Sequence, residues 1–311
     1  MQNTQVHIDG TSTAAQANLW RNQLICTDNG GLKPLLANAI TLLRYSDVWK
    51  GVIALNKFAG RVTVQRQPPW IATAAVNWES RDWTSTDDIF VANWLQRNGL
   101  AVNTRTASEA VTAVAEEQSF HPVEDYLRGI QWDGHERLQS WLSSCLGAED
   151  NKYNKTIGVC ALVAATARIF VPGCKVDTIP ILEGGQGLGK STALKTLFAP
   201  WFSDELADLG SKDAAMQLEG VWLIEVSELD AMSRSEVGRI KAFVSRTADR
   251  YRPPYGSRVV EKLRSCVFWG TTNSETYLQD ETGARRFWPI KVGPLVAIPR
   301  LRARASSHRA A

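Results

Sequence analysis

Eight consecutive residues, Gly184-Gly185-Gln186-Gly187-Leu188-Gly189-Lys190-Ser191, combine the types needed to hold a triphosphate. Glycines let backbone N–H groups turn inward and approach phosphate oxygens closely. A helix beginning near Lys190 adds its positive N-terminal end. Lys190 supplies a cation to the β- and γ-phosphates, and the Ser191 hydroxyl ligates Mg²⁺. With Thr192 these residues make the nucleotide-binding set, with ATP and Mg²⁺ as the expected ligands. At usual glycine frequencies the pattern arises by chance in roughly one chain in a hundred of this length. The bland alternative is a glycine-rich turn with an incidental lysine.

Such a loop works with an acid at the end of a neighbouring strand, which organises Mg²⁺, and a second acid can polarise the attacking water. In Val221-Trp222-Leu223-Ile224-Glu225-Val226-Ser227-Glu228 an apolar run leads directly into Glu225. Glu225 is expected on Mg²⁺ and Glu228 on water, with the reverse assignment open and Asp230 a third candidate. A solvated strand end is the alternative. A further apolar strand ends at Asn273, where an amide orients water near the γ-phosphate or merely begins a turn. Arg285 and Arg286 are adjacent cations that either stabilise transition-state charge on a neighbouring subunit's nucleotide or hold surface acids. Between these strands, Ile240–Arg264 carries Lys241, Arg246, Arg250, Arg252, Arg258, Lys262 and Arg264 against Asp249 and Glu261. Its centre, Arg250, Tyr251, Arg252, Tyr255 and Arg258, interleaves rings with cations. That suits phosphates and stacked bases, or equally a solvated basic loop or an intersubunit contact.

Elements must position these groups. An apolar strand over 178–182, a helix over 191–198 stopped by Pro200, and a strand over 221–226 alternate in sequence. A helix capped by Ser233-x-x-Glu236 and a strand over 265–271 follow. This alternation implies an α/β domain with a largely parallel sheet. Upstream, the pattern is mostly helical with a small sheet. Helices are expected over 34–45, 87–97 (with Ile89, Val91, Trp94 and Leu95 inward), 122–127, 138–146 and 155–170. Another is opened by a capping box at Thr106-x-x-Glu109. Strands over 52–55 and 61–65 turn at Gly60, and 67–82 has no assignment. The expected divisions are a loose lead-in over 1–32, a mainly helical N-terminal domain over 33–175, the phosphate-binding core over 176–292, and a basic tail over 293–311.

Composition excludes several classes. The chain has 311 residues, 44% hydrophobic and 22% charged, with net charge +3, which are values of an ordinary globular protein. No apolar run reaches the roughly 18 residues of a membrane span, and no signal peptide is expected at residues 1–5, which lack a basic region followed by an apolar stretch. Five widely spaced cysteines without a CxxC pair are expected as reduced thiols in a cytoplasm, not as a disulfide framework or zinc site.

From about Pro34 to Val292 the chain resembles the virulence-associated E family of phage- and plasmid-type ATPases, which are similar to superfamily 3 helicases. The likeness rests on WKGVIALNKFAGRV (49–62), HPVEDYLRGIQWDGHERL (121–138), PGCKVDTIPILEGGQGLGKST (172–192), LEGVWLIEVSELD (218–230), RYRPPYGSR (250–258), CVFWGTTN (266–273) and YLQDETGARRFWPI (277–290). It implies a P-loop NTPase of AAA+ type, a ring-forming homo-oligomer and an ATP-dependent motor on single-stranded DNA in mobile-element replication. It implies Gly184–Ser191 as the Walker A loop, Glu225 with Glu228 as the Walker B region, Asn273 as the first sensor and Arg286, with Arg285, as the finger. The loop over 250–258 falls where such helicases contact DNA. Nothing upstream resembles a primase, so priming would fall to a separate protein. The likeness ends at Lys291-Val292, and the last stretch carries four arginines and no acid. A frameshift or truncation is the expected origin of that end, with a nucleotide-dependent DNA-binding or regulatory protein without unwinding as the alternative function.

Overall fold

A computed structural model of the chain describes residues 19–71, 78–205, 212–227, 233–252, 258–273 and 284–294. It divides into two compact units, 1–121 and 122–311. The division therefore falls at His121/Pro122, well before the expected 175/176, because the helices after Pro122 pack with the second unit's sheet.

In the first unit, α1 (Leu36–Tyr45) is followed by a hairpin of β1 (Ile53–Asn56) and β2 (Arg61–Val64). β3 (Arg81–Asp82), inside the stretch that sequence left unassigned, adds antiparallel to β2. α2 (Ser85–Arg97) and α3 (Thr104–Glu117) complete the unit. Residues from 19 onward are not a loose lead-in. Buried Asn38 accepts from the Ile25 amide and donates to the Ile25 and Lys33 carbonyls, which ties that segment to α1. α2 starts on a capping box, Thr84 with Asp87. Its inward face is Asp87, Val91, Ala92 and Leu95, while Ile89 is exposed. α3 is capped by Asn103, whose side chain accepts from the Thr106 amide. Thr106 thus lies inside the helix and is not its cap. Ala110, Val111 and Val114 join the core as expected.

The second unit opens with α4 (Pro122–Gly129), α5 (Trp141–Leu146) and α6 (Lys152–Phe170). Gly147, at φ +61, ends α5 as its left-handed cap, and Asn151 caps α6. Then come β4 (Ile179–Glu183), α7 (Lys190–Phe198), β5 (Phe202–Ser203), α8 (Lys212–Gln217), β6 (Leu223–Val226) and α9 (Arg234–Val244). β7 (Ala248–Tyr251), β8 (Val260–Leu263), β9 (Val267–Thr272) and β10 (Phe287–Lys291) follow. Among the described residues, β10-β4-β9-β6-β5 form one sheet, parallel throughout. β4, β6 and β9 are buried along their whole length, which is what a parallel strand covered on both faces requires. Pro289 is tolerated because β10 is an edge strand. β7 and β8 pair separately as an antiparallel hairpin inserted before β9.

Candidate nucleotide site at the carboxyl edge of the parallel sheet

In an open parallel sheet, ligands bind beyond the carboxyl ends of the strands. The strand order places β9 between β4 and β6, so the residues ending these three strands converge there. β4 leads into the loop 184–189, and α7 begins at Lys190. Gly187 and Gly189 hold φ of +82 and +74, a region that side chains disfavour by about 1–2 kcal/mol. A Cβ on Gly184 would stand 2.9 Å from the Leu188 side chain and 3.1 Å from the Val292 carbonyl. The loop is thus shaped by backbone proximity as much as by φ.

Lys190 is buried, and its ammonium donates to the carbonyls of Gly184 (2.7 Å) and Gly185 (2.9 Å) and to Asn273 Oδ1 (3.0 Å). One cation therefore ties the loop to the end of β9. The Ser191 hydroxyl donates to Glu225 Oε1 (2.6 Å), and the Thr271 hydroxyl donates to the same oxygen (2.7 Å). Glu225 is 1% exposed, and among the described residues its Oε2 has no hydrogen-bond partner. A buried, unsatisfied carboxylate oxygen is costly, and here it lies beside the hydroxyl at the head of α7. This donor set fits Mg²⁺, which takes one or two carboxylates, hydroxyls and substrate phosphates instead of an all-protein cage. Among the described residues no group of three or more His, Cys, Asp or Glu gathers for a metal.

The structure thus brings together Gly184, Gly185, Lys190, Ser191, Glu225 and Asn273. Gln186 and Thr192 are exposed and Leu188 is half-buried against Gly184. Thr271 is a site residue that sequence reasoning missed; its signal was a hydroxyl interrupting an otherwise apolar strand beside an acid strand. Glu228, Asp230 and Tyr255 lie outside the described residues. Arg285 and Arg286 form a 3-10 turn before β10. Phe287 pairs with Ile179, the first residue of β4. The arginines therefore sit at the amino edge of the sheet, about 13 Å of strand away from their own loop. Arg286 donates to the Lys241 carbonyl (3.1 Å) and lies 3.7 Å from Asp177, while Arg285 is exposed.

On the hairpin, Arg250, Arg252 and Arg258 are exposed, Arg250 lying 3.4 Å from Glu261. Tyr251 corrects the expectation of a stacking ring. It is 5% exposed and its hydroxyl donates to Glu219, so its ring belongs to the footing of the hairpin. Arg264, counted among the cations for phosphate, is likewise buried and bonded to Asp249.

Fold and site together define a P-loop NTPase-type protein. Residues 127–307 match the Virulence-associated protein E-like domain, and the chain belongs to that family. The match starts later than Pro34 and runs past Val292, which corrects the expectation that the likeness ends there. No curated protein matches the chain. Among solved structures, the A form apo structure of the NrS-1 C terminal region superposes with TM-score 0.52 at 15% identity, over 88% of this chain and 66% of that one. This likeness shows the fold alone. Another apo structure of that region gives 0.42 at 14% identity over 83% and 65%, and the S. cerevisiae Hsp104–ADP complex gives 0.34 at 11% over 72% and 47%. The chain spans a little under two thirds of the NrS-1 chains. Among the described residues no helix is long and apolar enough to cross a membrane.

Proposed function

We propose that this chain is an ATP-dependent DNA motor, a helicase-like ATPase serving replication of a phage or plasmid-type mobile element. The observation that carries the nucleotide part is Glu225: a buried carboxylate with one oxygen held by Ser191 and Thr271 and the other open. Loop amides and the head of α7 receive the triphosphate, and Lys190 leaves the loop carbonyls for the β- and γ-phosphate oxygens. Ser191 and Glu225 hold Mg²⁺, which neutralises phosphate charge when bound. Asn273, already in contact with Lys190, orients the attacking water. That water adds to the γ-phosphorus, the bond to the β–γ bridging oxygen breaks, ADP departs, and Glu228 takes the proton.

Arg286 and Arg285 lie far from their own loop, which supports action on the nucleotide of an adjacent subunit in a homo-oligomeric ring. The exposed Arg250, Arg252 and Arg258 meet single-stranded DNA, with Tyr255 available to stack. The setting is the cytoplasm. A second reading, a nucleotide-dependent DNA-binding or regulatory protein without unwinding, is favoured by the engagement of Arg286 with Asp177 and the Lys241 carbonyl inside its own chain.

The test is ATP hydrolysis by the wild type and Lys190→Ala, each with and without single-stranded DNA. The motor shows turnover that DNA raises and the variant loses. Turnover indifferent to DNA, without strand displacement, selects the second reading. A folded wild type with no turnover rejects the motor in favour of the second reading, and a variant as active as wild type rejects the role of Lys190.

A further inference from the structure

Three residues, Arg264–Cys266, join the β7–β8 hairpin to β9, the strand that Asn273 follows. The root of the hairpin is built around Arg264, which is 3% exposed. Its Nε and Nη2 donate to the two oxygens of Asp249 on β7, the latter at 2.8 Å, and Nη1 donates to the Phe243 carbonyl at the end of α9. The guanidinium lies 4.3 Å from the ring centroid of Phe243 and 5.6 Å from that of Phe268 on β9. One side chain thus touches the hairpin, α9 and the sheet. From the other side, buried Arg168 on α6 donates to the carbonyl of Arg264 (3.2 Å) and to that of Arg246 (3.5 Å), gripping both legs of the hairpin. The Gly173 amide also donates to the Arg264 carbonyl (2.9 Å). The region is buried, with Arg168, Arg264 and Cys266 each at most 3% exposed, and that burial pushes the Cys266 thiol up to about 11 and the Arg168 guanidinium below its usual value.

Stability alone is a poor reason for this construction. A buried ion pair is often matched or exceeded in stability by apolar residues of similar volume. A bidentate fork, in contrast, fixes an angle, which apolar packing does not. We propose that Arg264, through its fork with Asp249, is a positioning residue that locks the β7–β8 hairpin to β9, so that the hairpin and the Asn273 end of the strand move as one body. Its consequence for DNA rests on the reading of the hairpin as the nucleic-acid contact.

The experiment uses the full chain as wild type, as the double variant Asp249→Leu/Arg264→Met, and as Arg264→Lys, which keeps the charge and loses the fork. Hydrogen exchange of the hairpin amides is followed with and without a non-hydrolysable ATP analogue and Mg²⁺. ATP turnover is followed with and without single-stranded DNA. The double variant is expected to melt cooperatively and to keep DNA-free turnover within about twofold. Its hairpin amides at 248–251 and 260–263 should exchange at least about tenfold faster, with β4 and β6 unchanged, and stimulation by DNA should be lost. Arg264→Lys is expected to follow it, and decides the matter if the double variant fails to fold. Wild-type exchange in the hairpin of either folded variant overturns the proposal, as does full recovery in Arg264→Lys. A wild type that DNA does not stimulate refutes the DNA reading instead, and the exchange measurement still decides the lock.

Discussion

Glu225 and Asp249 are both carboxylates buried in the same α/β unit, at 1% and 5% exposure, and they are satisfied in opposite ways. Asp249, at the hairpin root, has both oxygens filled by the fork of Arg264. Glu225, at the carboxyl edge of the sheet, has one oxygen shared by two hydroxyls and the other unmatched. A buried charge with both oxygens bonded to its own chain holds structure in place. A buried charge with one atom left over beside a helix N-terminus and a glycine loop is arranged for something that arrives. Burial alone would have ranked the two alike; the accounting of partners separates them.

The sharpest way to break the comparison is Arg264→Ala. It leaves buried Asp249 without its fork, with only the half-exposed Arg246 at 3.7 Å, and about 3 kcal/mol of stability should be lost, read from denaturant midpoints. The apolar double variant should lie within about 1 kcal/mol of wild type; a large loss there would mean the ion pair itself is the stabilising element. A third buried carboxylate extends the test to the first unit. Asp87 accepts two bonds from Arg81, each 2.7 Å, and caps α2 with Thr84. Asp87→Ala should cost about 2 kcal/mol through the lost cap and charged hydrogen bonds.

Burial pushes the Asp87 carboxyl up, but the bonds from Arg81 and Thr84 outweigh it and hold it below the usual carboxylate range. Its contribution is therefore complete above about pH 4, the unfolded carboxylate value, and is lost as pH falls through the lowered one. Wild type and Asp87→Asn should converge in stability in strong acid, and a gap that persists there would contradict the assignment. At Gly187 a Cβ meets nothing within 4 Å, so Gly187→Ala tests backbone strain alone. About 1–2 kcal/mol should appear as lost stability, read from denaturant midpoints, with an unchanged fold. The smallest effect is at the hairpin surface. Arg258→Ala should lower the salt dependence of single-strand binding by about 0.7 of a logarithmic unit per decade, measured by anisotropy.

The phosphate loop was legible because only glycine suits its backbone and because Lys190 and Ser191 follow at fixed offsets. Glu225 was legible because an apolar run delivers it to a strand end. Its partner Thr271 was not, since adjacency of β6 and β9 is a property of sheet order and the two residues are 46 apart in sequence. The hairpin root failed for the same reason. Composition counts Arg264 with its basic neighbours, whereas in the fold Arg264, one residue past the end of β8, is buried against Asp249. On α2, Ile89 misled because it is as apolar as its neighbours, while the buried face runs through Asp87, Val91, Ala92 and Leu95. β10 escaped notice because Pro289 speaks against a strand unless the strand lies at an edge.

The central claim is that the open oxygen of Glu225 belongs to a Mg²⁺–nucleotide site. Binding of a fluorescent ATP analogue to wild type and Glu225→Gln, with and without Mg²⁺, tests it most directly. The account requires that Mg²⁺ tighten binding to the wild type by at least about tenfold, about 1.4 kcal/mol, and that the folded variant lose this gain while keeping metal-free binding. An equal response to Mg²⁺ in both proteins would contradict it.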